Sequence, residues 1–299
     1  MNKRQEILQS LFGMSENERD GVADKMDRDY YEERLVLIAC PPKSASRVFE
    51  GVVDVLAKHY GPDRAINLKI TPSAEIVSPP IEQLLARVPH EVCWRTHSPP
   101  SHEILHAVEQ LRIKAFVLLR HPADLIVANY CHHHGNRVNP TRSGYIDTAL
   151  SLLDVDRFNS SNLEDGIEML LNSLFLRQLL DLMAKWLHFR DSDLSMVARY
   201  EDYASGFVAV FDDMLSFLYP GAVMEERSTE PIRGAFDGFL KQRKGYEARY
   251  PKGYSGKAGI WQDYFTERNA LSYNRVVSGF IEYHPYASEL CDYYEDLII

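Results

Sequence analysis

The run Leu35–Glu50, LVLIACPPKSASRVFE, constrains the fold more than any other part of the 299-residue chain. Five consecutive apolar residues, Leu35 to Ala39, have the pattern of a strand buried on both faces, the situation of a strand inside a parallel sheet. From Val48 onward the apolar spacing is that of an amphipathic helix. Between them lies CPPKSASR, with one lysine, two serines and one arginine. The first turn of a helix presents unpaired N–H groups and the positive end of the helix dipole, so a polar strand-to-helix loop of this kind predicts an anion site. A purely structural loop fits the same residues, and the choice depends on the rest of the chain.

Strand-like runs at Leu35–Ala39, Ala65–Ile70, Val92–Thr96, Ala115–Leu119 and Leu194–Arg199 alternate with helical patterns. The helices are predicted at Val48–His59, Ile81–Arg87, Ile104–Leu111, Ala123–His134, Ile167–Phe189 and Phe207–Leu218. Such alternation predicts an α/β fold with a central, mainly parallel sheet flanked by helices. The charged residues 1–33 read as a peripheral helical segment and residues 34–299 as a single domain. Two polar stretches, Asn139–Gly166 and Tyr219–Lys257, read as long excursions near a ligand or as plain surface insertions.

Composition narrows the partners. A net charge of -10 argues against a nucleic-acid or acidic-membrane surface, so an anionic ligand has to be captured by a few local basic groups. The four cysteines show neither CxxC spacing nor the density of a disulfide framework and are expected to be thiols in a reducing compartment. Glu6 and Gln9 interrupt the apolar run that a secretory signal would need, and no window resembles a membrane span, so a cytoplasmic protein is expected.

Three segments carry chemistry. A nucleoside-triphosphate P-loop reads GxxxxGK[ST], whereas PPKSASRV lacks glycine and its lysine precedes the small residues. That order suits a single terminal phosphate reached by Lys43 from one side, with Ser44, Ser46 and the amides around Ala45 to Val48 on the other. WRTHSPP, Trp94 to Pro100, places Arg95 and His97 at the carboxyl end of a predicted strand, where ligands of parallel sheets bind. KAFVLLRHPADLIVANYCHHH, Lys114 to His134, is a buried strand ending in Arg120, followed by Pro122 and Asp124 in a helix first turn. It forms a second strand-to-helix anion site, with a guanidinium fork suited to phosphate. No metal is expected: Cys131, His132, His133 and His134 are adjacent on a helix and point about 100° apart, so they cannot converge on one ion.

In order and spacing these segments resemble the sulfotransferases that use 3'-phosphoadenosine 5'-phosphosulfate (PAPS). PKSASR is similar to that family's 5'-phosphosulfate loop, commonly PKSGTT; RTHSPP resembles its KTHLP segment; RHPADLIVANYCH resembles its RNPKDVAVSYYHF motif. Tyr200, Glu201 and Asp202 resemble its YED turn, and GKAGIWQDYFT, Gly256 to Thr266, its closing GxxGDWxxxFT motif. The resemblance implies a P-loop-like sulfotransferase fold and transfer of a sulfuryl group from PAPS to a hydroxyl on a small molecule, glycan or lipid, leaving PAP. It implies catalytic roles for Lys43, which stabilises the leaving phosphate, for His97 as general base and for Arg95 at the sulfuryl oxygens. It implies cofactor binding by Lys43, Ser44, Ala45, Ser46, Arg47, Arg120, Asn129, Tyr200, Gly256 and Lys257. The chemistry fits these residue types: lysine is a compact charge for a leaving phosphate oxygen, and a histidine takes the acceptor's proton near neutral pH.

The chain also departs from the family pattern. Ala128 stands where a serine follows the family's arginine by eight positions, and Tyr254 and Ser255 replace a basic RKG element, leaving Arg243, Lys244, Lys252 or Lys257 to compensate. Two other classes therefore stay open: a PAP- or PAPS-binding scaffold without turnover, and a P-loop-type kinase, which the missing Gly-Lys-Ser order opposes. The dimer segment of cytosolic relatives, KxxxTVxxxE, has no clear counterpart, so the oligomeric state is open.

Overall fold

Four short parallel strands form the centre of the molecule: β1 (Val36–Ala39), β2 (Cys93–Thr96), β3 (Lys114–Leu119) and β4 (Ser195–Arg199), in the order β2-β1-β3-β4. These come from a computed structural model of the chain, which describes residues 36–46, 49–51, 53, 93–110, 112–134, 152–190, 193–203, 213–214, 216–218 and 257–299. Each strand falls within a residue or two of its predicted span, because a strand covered on both faces must be apolar almost throughout. Register runs Ala39 beside Thr96 and Val117, and Leu119 beside Arg199, so all four carboxyl ends share one edge.

Alternate side chains feed two cores, as a strand's period of two requires. Leu37, Ala39, Trp94, Ala115, Val117 and Leu119 face one core. Val36, Ile38, Cys93, Phe116, Leu118 and Ala198 face the other, against Phe49, Val53, Tyr203, Met214 and Leu218. The first face is covered by helices: α1 (His102–Gln110), α2 (Pro122–His133), α3 (Val155–Ser160), α4 (Leu163–Asn172) and α5 (Leu174–Phe189). After α6 (Tyr200–Tyr203) and the short described stretches 213–214 and 216–218, the chain continues from Lys257 with α7 (Trp261–Tyr264), α8 (Glu267–Tyr283) and α9 (Ala287–Tyr293).

Three elements differ from the sequence reading. Residues 155–160 and 163–166, read as part of an excursion, are helical, each helix started by a side-chain cap: Asp154 accepts from the Arg157 amide and Asn162 from the Asp165 amide. The helix expected over Ile167–Phe189 is two helices, broken at Ser173, whose hydroxyl accepts from the Phe175 amide and starts α5. A long helix follows Thr266, which forms a capping box with Asn269. The strand at Ala65–Ile70, the helix at Ile81–Arg87 and the segment Met1–Glu33 lie outside the described residues; of Phe207–Leu218, residues 213–214 and 216–218 are described and helical.

The chain runs from β1 to β2 on one side and then crosses β1 to β3 on the other. Among the described strands the order therefore reverses between β1 and β3, and the loops leaving the carboxyl ends at such a point diverge to leave a crevice. The loops that flank it are Cys40–Ser46 and Arg120–His121.

Candidate functional site

The Cys40–Ser46 loop leaves β1 with the Cys40 amide still donating to Thr96 O at 3.1 Å. Lys43 and Ala45 then adopt left-handed backbone, φ 74° and 63°. For residues with a Cβ this costs roughly 1–2 kcal/mol each, so the surrounding structure has to impose it. Left-handed residues alternating in a short loop turn backbone N–H groups toward one concave side, the arrangement that binds anions. Ser44 is fully buried and its hydroxyl has no hydrogen-bond partner among the described residues. Such an orphaned hydroxyl is suited to an anion's oxygen. Ser46 begins the helical segment and is buried, while Arg47 lies outside the described residues.

His97 follows β2, and its Nδ1 lies 2.7 Å from Cys40 O and 3.6 Å from Cys40 Sγ. A carbonyl only accepts, so Nδ1 carries the proton and Nε2 holds the lone pair. Burial of the ring is the largest influence on its pKa; the Cys40 hydrogen bond opposes it, and the charges of Arg95 and Lys43 reinforce it, leaving His97 lowered to about 3. The imidazole is therefore neutral at physiological pH and has the form of a base. The next residue is held from behind: Trp186 of α5 donates Nε1–H to Ser98 O at 2.8 Å, and the Ser98 amide donates to Thr96 Oγ1 at 3.1 Å. Arg95 forms a largely buried ion pair with Glu50, on the helical segment after the loop, at 2.7 Å.

Arg120, 2% exposed, ends β3. Its Nη1 donates to Lys43 O at 3.1 Å and its Nη2 to Lys257 O at 3.3 Å, while the guanidinium lies 4.2 Å from the centre of the Tyr200 ring. Asp124, one turn along α2, is 3.8 Å from Nη2. Asn129, two turns into the same helix, donates Nδ2–H to Leu125 O at 2.8 Å and to Pro42 O at 3.4 Å. Lys257 pairs with Asp263 at 2.8 Å on the surface, and Gly256 lies outside the described residues.

The structure thus gathers Lys43, Ser44, Ala45, Ser46, Arg95, His97, Arg120, Asn129 and Tyr200 around the carboxyl ends of β1, β2 and β3, with the Lys257 carbonyl closing on Arg120. Three participants escaped the sequence reading as site residues. Glu50 partners Arg95; Glu201 accepts the His121 amide at 2.7 Å; Asp124 accepts from the Gly259 and Trp261 amides. Asp124 gave a sequence signal as an acid in a helix first turn and Glu201 as part of the YED-like turn, whereas Glu50 gave none. Among the described residues no three or more His, Cys, Asp or Glu side chains form a group able to hold a metal. Within the histidine run, His134 Nε2 lies 3.0 Å from Ser161 O. No described helix is long and apolar enough to cross a membrane.

A solved structure shares this architecture. Mouse sulfotransferase SULT7A1, in complex with PAP, is 17% identical over 91% of this chain and 93% of that one, with a TM-score of 0.57. Retinol dehydratase, in complex with retinol and PAP, is 17% identical over 87% of this chain and 86% of that one, with a TM-score of 0.49. No family model matches the chain, and no curated protein matches it in sequence. On the first of these structures, the chain has the α/β fold of the sulfotransferases. At 17% identity that likeness speaks for the fold alone.

Proposed function

We propose that the chain is a sulfotransferase that moves a sulfuryl group from PAPS to the hydroxyl of a small-molecule, glycan or lipid acceptor, releasing PAP. The observation that carries this reading is His97: a neutral imidazole whose Nδ1–H is fixed by the Cys40 carbonyl, on the loop that holds Lys43 and Ala45 in left-handed backbone. A base is thereby fastened to an anion loop, a pairing suited to moving a group from an anionic donor to an alcohol, sulfuryl transfer included. The structure that shares the fold was solved with PAP, and that ligand comes to this chain as part of the proposal.

In this reading Lys43, Ser44, Ala45, Ser46 and Arg47 hold the 5'-phosphate; the orphaned Ser44 hydroxyl and the turned amides suit it. Arg120, with Asn129, Gly256 and Lys257 nearby in sequence or space, holds the 3'-phosphate side, and Tyr200 supports the guanidinium from beneath, next to the base-binding region. PAPS supplies the activated sulfuryl group. His97 Nε2 takes the acceptor's proton as the acceptor oxygen bonds sulfur, and Lys43 neutralises the charge left on the departing phosphate oxygen. Arg95 steadies the sulfuryl oxygens, its charge anchored by Glu50. We place the activity in residues 34–299 acting as one domain, and in the cytoplasm, in keeping with four cysteines spaced unlike a disulfide framework.

The test is transfer of labelled sulfuryl from PAPS to a panel of hydroxylated acceptors, run with calorimetric titration of PAP. The wild-type protein binds PAP and turns over at least one acceptor. Lys43→Ala lowers transfer on the order of 100-fold or more without lowering the melting temperature, because a loop lysine aimed at a ligand does not support the core. His97→Ala loses turnover and still binds PAP. A wild-type protein that binds no PAP overturns the reading, and one that binds PAP but sulfurylates nothing points to the scaffold class.

A further inference from the structure

Asp124 is fully buried in the first turn of α2, yet both of its carboxylate oxygens are occupied by backbone amides 135 and 137 residues further along the chain. Oδ2 accepts from Gly259 N–H at 2.8 Å and Oδ1 from Trp261 N–H at 3.0 Å. Gly259 has φ 71°, a left-handed turn that glycine adopts without strain, and Trp261 opens α7. The same carboxylate lies 3.8 Å from Arg120 Nη2, and Arg120 in turn bonds the carbonyls of Lys43 and Lys257. One buried acid and one buried base therefore tie three separate backbone stretches together: the anion loop, the end of β3 and the Lys257–Trp261 turn.

We propose that Asp124 is the positioning residue that fastens the Lys257–Trp261 turn over the nucleotide, so that it governs how long the nucleotide stays bound. This rests on the nucleotide reading above. A carboxylate presents two acceptors to two converging N–H groups. An amide in its place can satisfy one of them and must face the other with its own NH₂. The carboxylate also lies 3.8 Å from Arg120 Nη2 and attracts the guanidinium that bonds the Lys257 carbonyl at the start of the same turn, so loosening the turn weakens the hold on Arg120 as well. No other described side chain bonds these two amides. Without the fastening, the turn opens more often and the ligand escapes more quickly.

Two measurements test this. In the ligand-free wild-type protein, amide hydrogen exchange at Gly259 and Trp261 is slow, and in Asp124→Asn it is accelerated about tenfold or more. By stopped flow with PAP itself, Asp124→Asn raises the dissociation rate by a similar factor, and the loss in transfer falls on the KM for PAPS rather than on kcat. A general loss of structure would lower both. Fast exchange at the two amides in the wild type overturns the fastening without recourse to any variant. Unchanged PAP dissociation in a folded Asp124→Asn protein overturns its role in retention. If the wild type binds no PAP, the nucleotide reading falls and retention falls with it, while slow exchange would still establish the anchor.

Discussion

At the scale of single residues, His97 links the site to the stability of the fold. Its pKa lies near 3 in the folded protein and at about 6.5 in an unfolded chain, because burial and the charges of Arg95 and Lys43 outweigh the hydrogen bond to Cys40. Between these values the unfolded chain binds the proton and the folded one does not. Stability from this group is therefore complete above about pH 6.5 and falls as the pH drops toward 3. Urea unfolding at a series of pH values between 4 and 7 should show a steeper acid loss in wild type than in His97→Gln, the difference being at most about 1.4 kcal/mol per pH unit. Identical slopes would mean the imidazole protonates freely in the folded state, and a base fixed in neutral form could not be maintained. The identities of Lys43, Ser44 and His97 were legible as chemistry in the sequence because each sits where a parallel strand ends. The contacts that hold the neighbouring strand ends were not. Arg95 finds Glu50, and the His121 amide finds Glu201, 80 residues away, across folds of the chain that no local pattern encodes.

At the scale of elements, the strands were readable because burial on both faces leaves an unbroken apolar run, and α1 and α2 followed from their spacing and from Pro122. The helix α3 and the first turn of α4 were misread because their exposed faces are polar, although Asp154 and Asn162 were already cap signals. One residue decides how these helices support the site. Gly166 of α4 lies so close to α2 that a Cβ there would come within 2.4 Å of Tyr130 Cε2 and 2.7 Å of Ser161 Oγ. Tyr130 is itself buried, edge-on to Phe158 and tilted on His134, and has little room to yield. Gly166→Ala gains up to about 1 kcal/mol of helix propensity but overpacks the contact at about 1–3 kcal/mol, so a net destabilisation of roughly 1–2 kcal/mol is expected. The urea midpoint reports it. A midpoint equal to or above wild type would show that α4 can shift away from α2.

At the scale of the whole molecule, the net charge of -10 opposes an anionic ligand, so recognition has to come from short-range contacts between segments far apart in the chain. Arg120 is the place where those segments meet, since it bonds Lys43 O and Lys257 O at once. A ligand whose 3'-phosphate is read there acts on the fold as a whole: it binds the native arrangement of loop, strand end and turn, and nothing in an unfolded chain. Charge-assisted hydrogen bonds contribute about 1.5–3 kcal/mol each, so PAP is expected to bind about tenfold to a few hundredfold more tightly than 5'-AMP, which lacks only that phosphate. The two ligands then separate in a melting experiment. At a concentration near 100 times the PAP dissociation constant, PAP adds about 2.7 kcal/mol of stability, whereas a ligand bound 100-fold more weakly adds about 0.4 kcal/mol. With a shift of about 2–4 °C per kcal/mol for domains of comparable size, PAP should raise the melting temperature by roughly 5–10 °C and 5'-AMP by roughly 1–2 °C. Equal shifts at equal concentration would mean that the 3'-phosphate goes unread, and that Arg120 serves only to tie the two backbone segments together.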